Sequence, residues 1–212
     1  MKNLFSYDSK FMQMLMQVGD FIILNVLFLV CCIPVVTIGA ARSALYRSMF
    51  DMMEDRGNIY KKFFKSFAQN LKPATPLWLL QLLVSAVLIW LIGITIQIEI
   101  PFRNMILVAQ LLFFFVWNML FSSTYAQISV FDATRKQYFL NGIYISLTQL
   151  WRSVGVAVLD VFPVFFFAYD MWLFGAVLPV WLFLYFSVAT NLSCRMWKKP
   201  FDQYVENAEQ QK

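Results

Sequence analysis

Long apolar runs alternate along this chain with short connectors rich in lysine and arginine. A helix that crosses a bilayer needs about 20 largely apolar residues. Five segments meet that demand: 14–38, 74–97, 103–129, 149–169 and 171–194. Between them, three stretches of mixed character have helical spacing. Over 38–54 the apolar positions Ala41, Leu45, Met49, Met52 and Met53 recur at that spacing. Over 59–72, Tyr60, Phe63, Phe64, Phe67 and Leu71 share one face, and Lys61, Lys62, Lys65 and Lys72 fall largely on the other. The third stretch is 137–148. Aromatic residues backed by lysines are the pattern of a helix lying in the membrane interface. All three are therefore expected on the bilayer surface, with Pro73 and Pro76 separating 59–72 from the second span. Residues 195–212 read as a polar tail. The predicted fold is all-α: one polytopic membrane helical bundle of about five transmembrane helices plus amphipathic interfacial helices.

The first span ends in Leu29–Ser48, "LVCCIPVVTIGAARSALYRS". A residue before proline avoids helical dihedrals, so Ile33 marks a boundary. Thr37 suits the N-cap of a new helix. The alternative is a proline-kinked helix running through to Ala41. Neighbouring side chains on a helix point about 100° apart, so Cys31 and Cys32 read as small apolar residues rather than a redox pair. The stretch before the apolar run is too long for a cleaved signal peptide, and it carries Asp8 and Asp20.

A similar unit recurs eighty residues later. Phe63, Phe64, Ser66, Phe67, Gln69, Leu71 and Lys72 align in character with Ile143, Tyr144, Ser146, Leu147, Gln149, Trp151 and Arg152. Either this is a parallel repeat of amphipathic helix, span and returning span, or two amphipathic helices agree by chance.

Composition sharpens the membrane reading. Hydrophobic residues make up 60% of the chain and charged residues 14%, against about 25% charged in ordinary soluble domains. The net charge is +5, and its distribution carries the information. Fourteen lysines and arginines fall in 42–72, 132–152 and the tail, against Lys2, Lys10 and Arg103 elsewhere. The positive-inside rule then places the C-terminus in the cytoplasm and the N-terminus outside a bacterial plasma membrane. The basic connectors read as contacts to anionic lipid, with Lys61, Lys62, Lys65 and Lys72 as membrane-interface residues. No nucleic-acid partner is implied.

Candidate chemistry is sparse. The chain has no histidine, which removes the commonest general base and metal ligand. No phosphate loop, metal-ligand spacing or activated nucleophile is present. No enzyme activity and no cofactor or metal are expected. Asp160 is the sharpest residue: it lies eight positions after Arg152, about 12 Å deep in a core of about 30 Å. An intramembrane carboxylate is functional by default, or else a structural hydrogen-bonding group. Its expected neighbours are Asn118 and Gln110 in the third span, Gln81 in the second and Asn25 in the first. No lysine or arginine shares its predicted depth, so Asp160 is expected to be neutral or amide-paired. The seven tryptophans mostly fall near span ends and read as interface anchors.

Three runs resemble the YesL-like family of small bacterial integral membrane proteins: Cys31–Tyr46, Phe63–Leu80 and Asn141–Ser153. The resemblance extends from about Phe21 to about Trp197. The family is a domain of unknown function, and it brings no catalytic or binding residue to carry over. It implies an accessory or regulatory role near carbohydrate uptake systems, with permease subunits or a sensor kinase as partners. The alternative is a small-solute or proton-coupled carrier or channel that uses Asp160.

Overall fold

A computed structural model describes residues 10–54, 57–169 and 171–210. Among them every regular element is helical. The helices are α1 (Lys10–Cys32), α2 (Ile38–Met53), α3 (Ile59–Gln97), α4 (Arg103–Phe121), α5 (Thr124–Val130), α6 (Arg135–Thr148), α7 (Leu150–Tyr169), α8 (Met171–Ala176), α9 (Leu178–Val180) and α10 (Phe186–Gln210). Three segments are long and apolar enough to cross a membrane: Met14–Cys32, Ile59–Gln97 and Arg103–Val130. A fourth exists if Arg135–Thr148 and Leu150–Pro163, bent by 110°, count as one broken span. In each of the three, only 17% of the apolar window is buried. Leu83, Trp90, Met105 and Leu112 point outward. In water such a surface would aggregate, whereas lipid is as apolar as the side chains that face it.

Pro34 breaks the first helix. α1 stops at Cys32, a short 3-10 turn covers Val35–Thr37, and α2 begins at Ile38. Thr37 occupies the N-cap of α2, but its hydroxyl turns back and donates to Cys31 O at 2.6 Å and Pro34 O at 2.7 Å. It therefore satisfies carbonyls freed at the end of α1 rather than amides at the start of α2.

α2 lacks the open face expected of a helix lying on the bilayer surface. It is buried along its length, with Ala40, Ala41, Ala44, Leu45 and Met49 at 1% exposure or less. Small residues explain its position, since they let helices approach closely. A Cβ on Gly39 would sit 2.6 Å from Trp78 Cβ and 3.0 Å from Ala74 O.

α3 also departs from expectation. It runs unbroken for 39 residues through Pro73 and Pro76, about 58 Å at 1.5 Å per residue. That is nearly twice a bilayer core, so the helix projects well beyond one. The two prolines free the carbonyls of Gln69 and Lys72. Both residues line a polar cavity where solvent can take up the lost bonds. The aromatic face of 59–72 packs in part on the bundle: Phe63 is fully buried, whereas Phe64 stays exposed.

The helix directions follow from side-chain contacts. α2 runs antiparallel to the first half of α3, from Gly39 beside Trp78, through Ser43 beside Asn70, to Asp51 beside Lys62. α1 runs with α3. At its midpoint, Asp20 accepts a hydrogen bond from Tyr60, near the start of α3, and just past its end Val35 O accepts one from Trp78 at 2.7 Å. α1 and α2 therefore form a hairpin whose tip, at Pro34, reaches the middle of α3. The first helix runs from the basic start of α3 toward its middle, with residues 10–19 preceding the Asp20–Tyr60 contact, the reverse of the direction that the count of lysines and arginines suggests. Span length fixes no direction, and the contacts that do are between residues forty positions apart.

The fifth apolar segment is subdivided. After α9, Trp181–Tyr185 is π-helical, and α10 follows. Asn25 holds this irregular stretch. Its Nδ2 donates to Trp181 O at 3.2 Å and Leu182 O at 2.7 Å, and its Oδ1 accepts from Ser187 N at 2.9 Å. The two repeat-like units diverge as well. Phe63–Lys72 lies inside one continuous helix, whereas Ile143–Arg152 bends at Gln149. Thr148 Oγ1 donates to Tyr144 O and Ile145 O there, and the Gln149 side chain accepts from Arg152.

Candidate functional site

Asp160 is ion-paired. Arg42 Nη2 lies 2.5 Å from its Oδ2, with the two side chains 17% and 25% exposed. The expectation of a neutral or amide-paired carboxyl is corrected by α2: folding back into the bundle carries Arg42 inward to meet α7. The spacing of Ile38, Arg42, Leu45 and Met49 sets Arg42 on the apolar stripe of α2, and that is the signal the sequence holds.

From this pair a polar network crosses the bundle. The Arg42 guanidinium sits 4.8 Å from the centre of the Tyr125 ring, a cation–π contact. Tyr125 Oη donates to Gln81 Oε1 at 2.6 Å, and Gln81 Nε2 donates to Asn118 Oδ1 at 3.0 Å. Asn118 Nδ2 then donates to Phe114 O at 2.8 Å. One chain of contacts thus joins α7, α2, α5, α3 and α4. Of the predicted polar residues, Asp160, Gln81 and Asn118 belong to it. Gln110 does not; its amide donates to Thr95 Oγ1 at 3.1 Å. Asn25 serves the π-helical segment instead. Arg42 and Tyr125, which the residue pattern did not single out, join the charged and amide parts of the network.

Other polar groups are also used between helices. Ser123 Oγ donates to Gly142 O at 3.0 Å and lies 3.1 Å from Ser146 Oγ, joining α6 to the end of α4. Ser43 Oγ donates to Tyr125 O at 3.2 Å, joining α2 to α5. These are the roles that serines and amides take where water is excluded. A cavity of about 170 Å³ remains beside the ion pair, lined by Arg42, Asp160, Pro163, Tyr185 and Thr190 among others.

The tryptophans divide. Trp90, Trp151 and Trp172 are exposed, as anchors would be, but Trp181 and Trp197 are buried at 6% and 0%. Trp197 stacks on Phe201, which also meets Phe50 and Phe131. That contact brings the start of the tail to the end of the bundle where α2 finishes and α3 begins.

The four predicted interface lysines separate at this end. Lys62, Lys65 and Lys72 line a cavity of about 1030 Å³, and Lys61 lies outside its lining. Asp51, buried at 1%, is 3.3 Å from Arg47 Nε and 3.6 Å from Lys62 Nζ. The three cysteines are free thiols. Among the described residues, no group of three or more His, Cys, Asp or Glu converges as a metal site would require.

Residues 21–92 match a family described as "Protein of unknown function, DUF624". The match covers about a third of the chain. It takes in the second half of α1, the hairpin tip, α2 and α3 as far as Ile92, and therefore Arg42 but not Asp160. Such a domain is consistent with the YesL-like resemblance, two of whose three runs fall inside it. Against curated proteins and against solved structures the chain has no significant match.

Proposed function

We propose that this chain is a non-catalytic integral membrane protein that acts by binding, as an accessory or regulatory component, at its basic end on the cytoplasmic face. In this reading the α1–α2 hairpin enters the membrane from that face and the remaining apolar segments cross it. The observation that carries the proposal is the Arg42–Asp160 pair. It closes the strongest intramembrane charge onto a second helix and continues into helix-to-helix hydrogen bonds through Tyr125, Gln81 and Asn118. Interior polar groups spent on packing leave the basic end as the place for recognition. With α1 starting there, Lys10 joins the basic side, and Arg103 is the one lysine or arginine at the other end among the described residues. That distribution satisfies the positive-inside rule better than an external N-terminus does. Association with carbohydrate uptake rests on the family resemblance alone. Crosslinking and mass spectrometry on the natively expressed protein tests it: permease subunits or a sensor kinase should be recovered, and their consistent absence would remove the carbohydrate assignment.

The second reading is a carrier that uses Asp160, and the 170 Å³ cavity beside the ion pair favours it. Proton-linked flux in liposomes that Asp160→Asn abolishes would establish that reading over the first.

A further inference from the structure

The cavity of about 1030 Å³ at the basic end is formed by three parts of the chain: the end of α2, the first half of α3, and the run from the end of α5 through the loop into the start of α6. Six cationic side chains line it: Arg47, Lys62, Lys65, Lys72, Arg135 and Lys136. The carboxylates in the lining are Asp51 and Asp132, and Asp51 already faces Arg47 and Lys62. The concavity therefore carries a formal excess of four positive charges. Converging like charges repel, and a concave surface with low-dielectric walls focuses their field.

The frame behind these charges is fixed. Tyr138, 4% exposed, donates to Phe131 O at 2.7 Å and accepts from Ala133 N at 3.0 Å, which pins the 131–134 rim. Thr134 and Gln137 form a capping box that sets the start of α6. Arg47 Nη1 donates to Ser129 O at 3.1 Å. Arg135 and Lys136 occupy the first turn of α6, where the helix dipole favours anions and disfavours cations. Cations placed there against the dipole gain from a shared counter-ion. The volume is at the upper end of small-molecule sites and much larger than one inorganic anion needs.

We infer that this cavity binds a phosphate-bearing group. Phosphate offers several strong acceptor oxygens on one centre, and converging lysines and arginines match them with charge-assisted hydrogen bonds. The group belongs either to an anionic phospholipid or to a soluble phosphorylated compound. The inference deepens the binding role proposed above but does not depend on any partner protein.

The test uses the full chain in nanodiscs of neutral phospholipid and in nanodiscs that also contain anionic phospholipid. Inorganic pyrophosphate is titrated in the neutral discs, with thermal stabilisation as the readout. Native mass spectrometry counts anionic phospholipid retained from the mixed discs. Lys65→Gln/Lys72→Gln removes two charges from the cavity, and Lys61→Gln removes one from the same helix outside it. Saturable stabilisation by pyrophosphate, weakened about tenfold or more in the double variant and little changed by Lys61→Gln, assigns a soluble ligand. Retained phospholipid that the double variant loses and Lys61→Gln keeps assigns a lipid headgroup. Absence of both effects overturns the inference, as does an equal loss in Lys61→Gln, which would show only diffuse charge. Melting of both variants near the wild-type temperature in neutral discs without ligand separates lost binding from lost fold. Copurification of partner proteins is unaffected by either result.

Discussion

Asp160→Leu removes one half of the Arg42–Asp160 pair and leaves a guanidinium without its counter-charge. Exposed ion pairs contribute about 0–1 kcal/mol, whereas stripping one partner from a buried pair costs about 3–5 kcal/mol. With side chains 17% and 25% exposed, this pair falls between the two, and a cost of about 2–3 kcal/mol is expected. For a chain of this length each kcal/mol shifts the melting temperature by about 2–4 °C, so the variant should melt about 4–12 °C lower in detergent. Arg42→Met/Asp160→Leu removes both charges and should regain most of that loss, less the cation–π contact with Tyr125 worth about 0.5–2 kcal/mol. Asp160→Asn should lie between wild type and Leu, because an amide keeps a hydrogen bond to Arg42 but not the charge. The assay is a double-mutant cycle by thermal unfolding. A single Leu variant as stable as wild type, or a double variant no better than the single, would refute the reasoning.

Other substitutions probe the packing. Gly39→Ala forces a methyl against Trp78 Cβ and Ala74 O and should cost about 1–3 kcal/mol in the same assay. Asn25→Leu removes two hydrogen bonds to the π-helical segment and one to Ser187 at the start of α10; a cost of about 1–3 kcal/mol is expected, with faster amide hydrogen exchange at 181–187. Phe63→Ala empties a fully buried site on α3 and should cost about 3–5 kcal/mol, whereas Phe64→Ala, on the exposed side, should cost far less.

Hydrophobic pattern alone gives the membrane class, because a run of apolar residues without charges has few other uses. At Pro34 it leaves a break and a kink both open, since proline restricts itself and its predecessor in either case, and the structure shows the break. It does not give the depth of α2. Methionines, alanines and a pair of arginines at helical spacing suit an interface as well as a core, and only contacts with Trp78 and Asn70 distinguish the two. The prolines mislead for a related reason: at Pro73 and Pro76 the freed carbonyls belong to Gln69 and Lys72, which line a polar cavity, a compensation invisible along the chain. Asp160 is legible as an anomaly from its neighbours, but its partner is 118 positions away on a helix whose depth the pattern does not give. The lysines of 59–72 are legible as one basic face, yet the division of Lys61 from Lys62, Lys65 and Lys72 depends on which of them the α5–α6 loop comes to meet.

The central claim is that the start of α1, the first half of α3 and the tail share one cytoplasmic face. Cysteine accessibility in intact cells tests it most directly, on a background with Cys31, Cys32 and Cys194 replaced by alanine. Single cysteines at Lys10, Lys65 and Lys198 should all be protected from a membrane-impermeant thiol reagent, and one at Arg103 should react. Labelling of the Lys10 position while Lys65 stays protected would put the two on opposite sides of the membrane and contradict the claim.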